Sequence, residues 1–160
     1  MQVLVDDLIA VAADLGVLEL PPGIEYPLLT VYSFRVRIAN ALTVERPTTG
    51  MLQRLVEAFG TSDDDVERIL EASTSNVHAL DPNRHVAAVA HGKRKWGSFV
   101  PAEIVAAALH EDVEVRLSPG NARGGQVVDA LAESGIRALV WELTQVGESL
   151  HVTEIEIASS

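Results

Sequence analysis

The sequence predicts an α/β (α+β) protein, with a helical N-terminal half and a C-terminal half on a small three-stranded sheet in the order α-α-β-α-β-β. Three observations carry this. Through the first half, apolar residues recur at the three-to-four spacing of amphipathic helices. At Val113, Val115 and Leu117 the period drops to two, the spacing of a half-buried strand. Between the halves lies Ser73-Thr74-Ser75-Asn76, a short polar run that turns the chain and divides a 1–75 unit from a 76–160 unit.

Taken in order, Leu4, Leu8, Val11, Ala12 and Leu15 fall on one face of a helix from about Val3 to Leu15, which Gly16 ends. Val17-Leu18-Glu19-Leu20 follows, and Pro21-Pro22-Gly23 then forbids helix. Residues 28–42 support two patterns. Val31, Phe34, Ile38 and Leu42 make a helical stripe, while Phe34, Val36 and Ile38 alternate as in a strand. Asn40, Ala41, Leu42 and a Thr30 cap favour the helix, which is the reading adopted. A helix capped by Thr48 or Thr49 puts Leu52, Leu55, Val56 and Phe59 inward and ends at Gly60. Ser62 caps the next, Asp63–Ala72, whose three leading acids suit the positive end of the helix dipole.

In the second half, Asp81-Pro82 opens a short helix through about Ala90. A basic loop, His91–Ser98, leads to a helix from Pro101 to His110. The strand at Val113 to Leu117 gives way to the loop Ser118–Gly125 and a helix over Gln126–Ser134 that Gly135 ends. A strand holding Ala138, Val140, Trp141 and Leu143 turns at Val146-Gly147-Glu148-Ser149 into a last strand, His151–Ile157.

Composition sets limits on function. The chain has 160 residues, 48% of them hydrophobic, which supports a real core. It has no cysteine, which excludes disulfides, thiolate zinc sites and cysteine nucleophiles. No run approaches a membrane span, and the acids at Asp6 and Asp7 do not fit a secretory leader, so the expected compartment is the cytoplasm. The net charge of −11 opposes indiscriminate binding to nucleic acid. The positive charge is gathered at Arg35, Arg37, Arg46 and Arg54, and again at Arg84, Lys93, Arg94 and Lys95.

Residues 46–72 run Arg46-Pro47-Thr48-Thr49, Leu52, Arg54-Leu55-Val56, Ala58-Phe59-Gly60, Ser62 and Ile69-Leu70-Glu71-Ala72. This segment resembles the fourth and fifth helices of the lambda-repressor-like (Cro and Xre) helix-turn-helix family, and Tyr32–Leu42 then corresponds to its recognition helix. The likeness covers about 40 of the 160 residues. It departs from the family where the second helix belongs, a region that here holds Pro21-Pro22-Gly23 and Pro27. The resemblance implies a non-enzymatic DNA-binding regulator of double-stranded DNA. Arg35 and Arg37 would read bases, Asn40 would touch a base or phosphate, and Arg46 and Arg54 would hold phosphates. The C-terminal unit would serve oligomerisation or effector binding.

Two other segments carry chemistry. Lys93, Arg94, Lys95 and Trp96 combine charge with an aromatic face, which suits a nucleic-acid backbone or an acidic protein. In Ser118–Gly125, Gly120, Arg123, Gly124 and Gly125 form a glycine-rich loop ahead of a helix, a candidate anion site without P-loop or dinucleotide spacing. The five histidines lack metal-ligand spacing, no serine sits in a nucleophile elbow, and no cofactor is indicated. DNA binding is therefore the leading expectation. The C-terminal unit's outward sheet edges are expected to pair with a second copy in a homo-oligomer, and the rival readings are an acidic interaction or assembly protein with a basic protein partner and a phosphate-ligand domain.

Overall fold

Val3, Leu4 and Val5 are all buried, and they alternate between two separate cores. That is the burial of a central strand, covered on both faces. The computed structural model describes residues 2–43, 50–59, 63–71, 73–123 and 125–156. In chain order these form β1 (Gln2–Val5), α1 (Asp7–Asp14), β2 (Leu18–Glu19), β3 (Leu28–Thr30) and α2 (Tyr32–Thr43). Then come α3 (Met51–Phe59), α4 (Asp63–Leu70), β4 (Val77–Ala79), α5 (Val86–Trp96) and α6 (Phe99–His110). The rest are β5 (Val113–Leu117), α7 (Pro119–Ala122), α8 (Gln126–Glu133), β6 (Ala138–Val146) and β7 (Ser149–Glu156).

All seven strands share one mixed sheet, ordered β2-β7-β6-β5-β1-β3-β4. This corrects the expected three-stranded sheet, although the α/β class itself fits. β5, β6 and β7 lie where the alternating pattern put strands. The extra strands come mostly from the half expected to be helical. β1 runs parallel to both β3 and β5, β3 parallel to β4, and β5 parallel to β6, while β7 is antiparallel to β6. β1 and β3 are short and buried on both faces. Val3-Leu4-Val5 and Leu28-Leu29 therefore read as continuous apolar runs with no period of two to reveal them. β4 and β2 are two or three residues long, too short to show any period. Strands of residues 2–5 and 113–117 pair directly, so both sides of the Ser73–Asn76 turn contribute to the same sheet.

The helices cover the two faces. α1, α3 and α4 build one core with Val3, Val5, Ile38 and Trp141. α6 and α8 build the other with Leu4, Phe34, Val115 and Leu117. α2 contributes to both through Ile38 and Phe34. α1 begins at Asp7 rather than Val3, because Asp6 has extended backbone and accepts from Ile9 N, as an N-cap does. It stops at Gly16, whose φ of +74° suits glycine. α5 runs through the expected basic loop as far as Trp96 and packs on α6. There a Cβ on Gly92 would come within 2.8 Å of Ala102 Cβ, so the absent side chain permits the close approach. Among the described residues, no helix is long and apolar enough to cross a membrane.

Candidate functional site

After β2, which lies at the far edge of the sheet, the chain returns to β3 and β4 on one side of β1 and later adds β5 and β6 on the other. The carboxyl ends of β1 and β5 therefore flank a topological switch point, where loops diverge and leave a crevice. β1 delivers Asp6 and Asp7 to this point, and β5 delivers Ser118 and the turn of α7.

Asp6 is fully buried. Its Oδ1 accepts from Ile9 N at 3.1 Å, and its Oδ2 accepts from Ser118 N (2.7 Å), Ser118 Oγ (2.5 Å) and Asn121 Nδ2 (2.8 Å). Burial, with the adjacent Asp7 charge adding to it, pushes the Asp6 carboxyl up to about 6, against the opposing pull of the Ser118, Asn121 and Ile9 hydrogen bonds. Asp7 Oδ1 accepts from Leu8 N (2.9 Å) and Asn121 Nδ2 (3.0 Å). Asp7 Oδ2 faces the Arg37 guanidinium at 3.7 Å, beyond hydrogen-bond length. Arg37 in turn donates to Asn121 Oδ1 at 3.2 Å and lies over the Phe34 ring.

Beside this polar knot opens a cavity of about 770 Å³. Leu8, Leu52, Leu55, Phe59, Leu143 and Leu150 give it apolar walls, while Asp7, Ser118, Asn121, Arg54, Arg123 and Glu142 supply its polar groups. Among the described residues, no group of three or more histidines or acids is placed to hold a metal ion.

The residues proposed from sequence are scattered by the fold. Arg35 is 6% exposed and lies inside the protein. It donates to Asp14 Oδ2 (2.7 Å), Ile69 O (3.2 Å) and Val77 O (3.4 Å), so it has no reach to a DNA base. The helical stripe of α2 is real, but its inward side takes Arg35 along with Phe34 and Ile38. Arg37 belongs to the polar knot, Asn40 is exposed on α2, and Arg54 lines the cavity. Arg46 lies outside the described residues, as do Gly124, the caps Thr48, Thr49 and Ser62, the stop at Gly60, and Ala72 and Ile157.

Lys93, Arg94, Lys95 and Trp96 occupy the last turn of α5, where positive charge suits the helix dipole. Lys93 donates to Gly97 O, Lys95 pairs with Glu133 at 3.7 Å, and Trp96 Nε1 donates to the same Glu133. α5 packs on α6, which covers the sheet face opposite α1 and α3, so these groups do not join the α2 arginines. Of the anion-loop residues, Gly120 and Arg123 line the cavity and Gly125 caps α8. Sequence reasoning singled out the loop that holds Ser118 and Asn121 but missed Asp6 and Asp7 and the tie between them and that loop. The available signal was the Asp6 cap, since a helix starting at Val3 has no capping side chain whereas one starting at Asp7 does.

No family model, no curated protein and no solved structure matches this chain, so the chemistry of the cleft carries the functional argument.

Proposed function

We propose that this is a small-molecule binding protein whose ligand is an amphipathic anion, its apolar body in the cleft at the switch point and its acidic group against Arg54 and Arg123. The observation that carries this reading is the apolar-walled 770 Å³ cavity with two guanidinium-bearing residues in its lining. That volume lies within the range of about 300–1,000 Å³ typical of ligand pockets, and such pockets are mostly apolar with a few polar groups that orient the ligand. Apolar burial supplies affinity at about 25 cal/mol per Å². Guanidinium groups suit phosphate, sulfonate or carboxylate. Arg123 has no hydrogen-bonding or ionic partner among the described residues, which leaves its charge available. This narrows the phosphate-ligand expectation for the Ser118–Gly125 loop and moves its weight from backbone amides to arginine side chains. A base-reading role for α2 draws no support from Arg35, which is enclosed.

Anilinonaphthalene sulfonate, an aromatic body with one sulfonate, is a direct probe. It should bind the native protein with enhanced fluorescence and be displaced by octyl phosphate. Inorganic phosphate, which lacks the apolar body, and octyl glucoside, which lacks the charge, should compete at least tenfold less well. Ala58→Trp should fill the cavity and remove binding. Equal competition by octyl glucoside, or probe binding untouched by Ala58→Trp, would overturn the reading.

A further inference from the structure

We infer that the cleft is a proton-coupled anion site, in which Asp6 takes up a proton from solvent when an anion enters. This deepens the anion reading of the cleft and rests on it. Arg54, Arg123, Asp7 and Glu142 line the cavity. Two further charged groups touch that lining. Arg37 contacts Asp7 and Asn121, and Asp6 is bonded to Ser118 and Asn121. Among the described residues, three guanidinium groups thus meet three carboxylates, and with all six ionised their charges cancel. A bound anion leaves one negative charge in excess. It sits close to the acidic pair, because Asn121 is bonded to both Asp6 and Asp7 and is two residues from Arg123. Like charges at close quarters disfavour ionisation, so a proton on one carboxylate restores the balance.

Asp6 is the group placed to receive that proton. Asp7 faces the Arg37 guanidinium at 3.7 Å, and Glu142 is exposed, so a cation or water holds their charge. Asp6 is enclosed, and all its hydrogen bonds come from neutral donors. The neighbouring strands supply no cation either. On β5, Arg116 lies beside Val5 but is taken by Glu114 and Glu154, and on β3 Thr30 is neutral and donates to Val5 O. The Ser118 partner also suits a change of protonation. A hydroxyl both donates and accepts, so the 2.5 Å contact between Ser118 Oγ and Asp6 Oδ2 survives when Asp6 carries the proton. Asp14 offers the contrast. Its Arg35 partner can only donate, so a proton on Asp14 Oδ2 would break that contact. Burial and the Asp7 charge already raise the Asp6 carboxyl to about 6, so a further rise on anion binding brings the exchange into the neutral range.

Anilinonaphthalene sulfonate stays ionised from pH 5.5 to 8, so any pH dependence of its binding belongs to the protein. In fluorescence titrations of the full chain it should bind at least about fivefold more tightly at pH 5.5 than at pH 8, because binding and protonation favour each other equally. Calorimetry at pH 6.5, in buffers of different ionisation enthalpy, should show uptake of about half a proton per probe bound. Asp6→Asn keeps an acceptor for Ser118 and imitates the protonated state. It should bind at pH 8 as tightly as the native protein does at pH 5.5, with no proton uptake. Asp7→Asn removes a charge that raises Asp6, so uptake should persist and move to lower pH. Binding without uptake in the native protein, or uptake that persists in Asp6→Asn, would overturn the inference and leave the anion reading in place. So would uptake that Glu142→Gln or Asp7→Asn abolishes at every pH. Failure of the probe to bind at any pH would remove that reading, and this inference with it.

Discussion

Asp6 and Asp14 stand at the two ends of α1, and both are buried. Asp6 is at the N-terminal end, where the helix dipole favours negative charge, and neutral donors surround it. Asp14 is at the C-terminal end, where the dipole opposes it. There it is held by the Arg35 guanidinium at 2.7 Å and by Thr74 Oγ1 at 2.6 Å, with Asn76 Nδ2 donating to Ala13 O alongside. Burial raises the carboxyl of Asp14, and the hydrogen bonds from Arg35 and Thr74 lower it. The Asp14 end ties α1 to α2, α4 and β4 and is closed by those elements. The Asp6 end adjoins the cavity and is bordered by Asp7, whose Oδ2 faces Arg37 at 3.7 Å. A buried carboxylate matched by a cation is tied by charge, whereas one held by neutral dipoles is tied by hydrogen bonds alone.

The sharpest way to break this comparison is to unpair the closed end. Arg35→Ala should cost about 3–5 kcal/mol, measured by urea unfolding, because it strands Asp14 in the interior. A loss under about 1 kcal/mol would show that the pair is not buried as described. Asp6→Ala should cost less, about 2–3 kcal/mol, through loss of the Ile9 cap and of the acceptor for Ser118 and Asn121. It should also loosen the cleft, seen as weaker probe binding.

The pH dependence comes next. Burial raises the Asp6 carboxyl from the ordinary carboxylate value of 3.8 to about 6, so the folded protein holds the proton more tightly. Its contribution is fully present below about pH 4 and is lost as pH rises through 6, a decline of about 1–3 kcal/mol. Asp14 shifts in the same direction and adds the same sign. Unfolding midpoints from pH 4 to 7 should show this decline, and Asp6→Ala should flatten its Asp6 part. The smallest effect on stability belongs to Arg123→Ala, under about 0.5 kcal/mol, yet it should weaken probe binding about tenfold. A large loss of stability there would place Arg123 among the structural ties instead.

The same contrast explains what the sequence reveals. The long amphipathic stretches were legible: Leu52 and Val56 on α3, Ile69 on α4, and the alternation of Val113, Val115 and Leu117 on β5, each with a periodic face. Helical propensity at Asn40, Ala41 and Leu42 rightly indicated α2. Short central strands were not legible, because Val3-Leu4-Val5 is apolar throughout and joins the stripe of α1 without a break. Arg35 was misread for the same kind of reason. Its partners lie at residues 14, 69 and 77, distant in sequence, and nothing local distinguishes an arginine facing solvent from one facing Asp14. The Ser118–Gly125 loop was flagged by its glycines. Its tie to Asp6, 112 residues away, depends on strand order, which no local pattern encodes.

That strand order also constrains how the chain assembles. β1 precedes β5 in the chain by all the elements from α1 to α6, yet the two are neighbours in the middle of the sheet, and β5 is complete only at residue 117. Until then the strand has β3 on one side and an unmet edge on the other. Much of the pairing is therefore non-local, the regime of slow folding. On a ribosome, the edge of β1 would stay unpaired until β5 emerged, and unpaired strand edges of this kind are prone to aggregate.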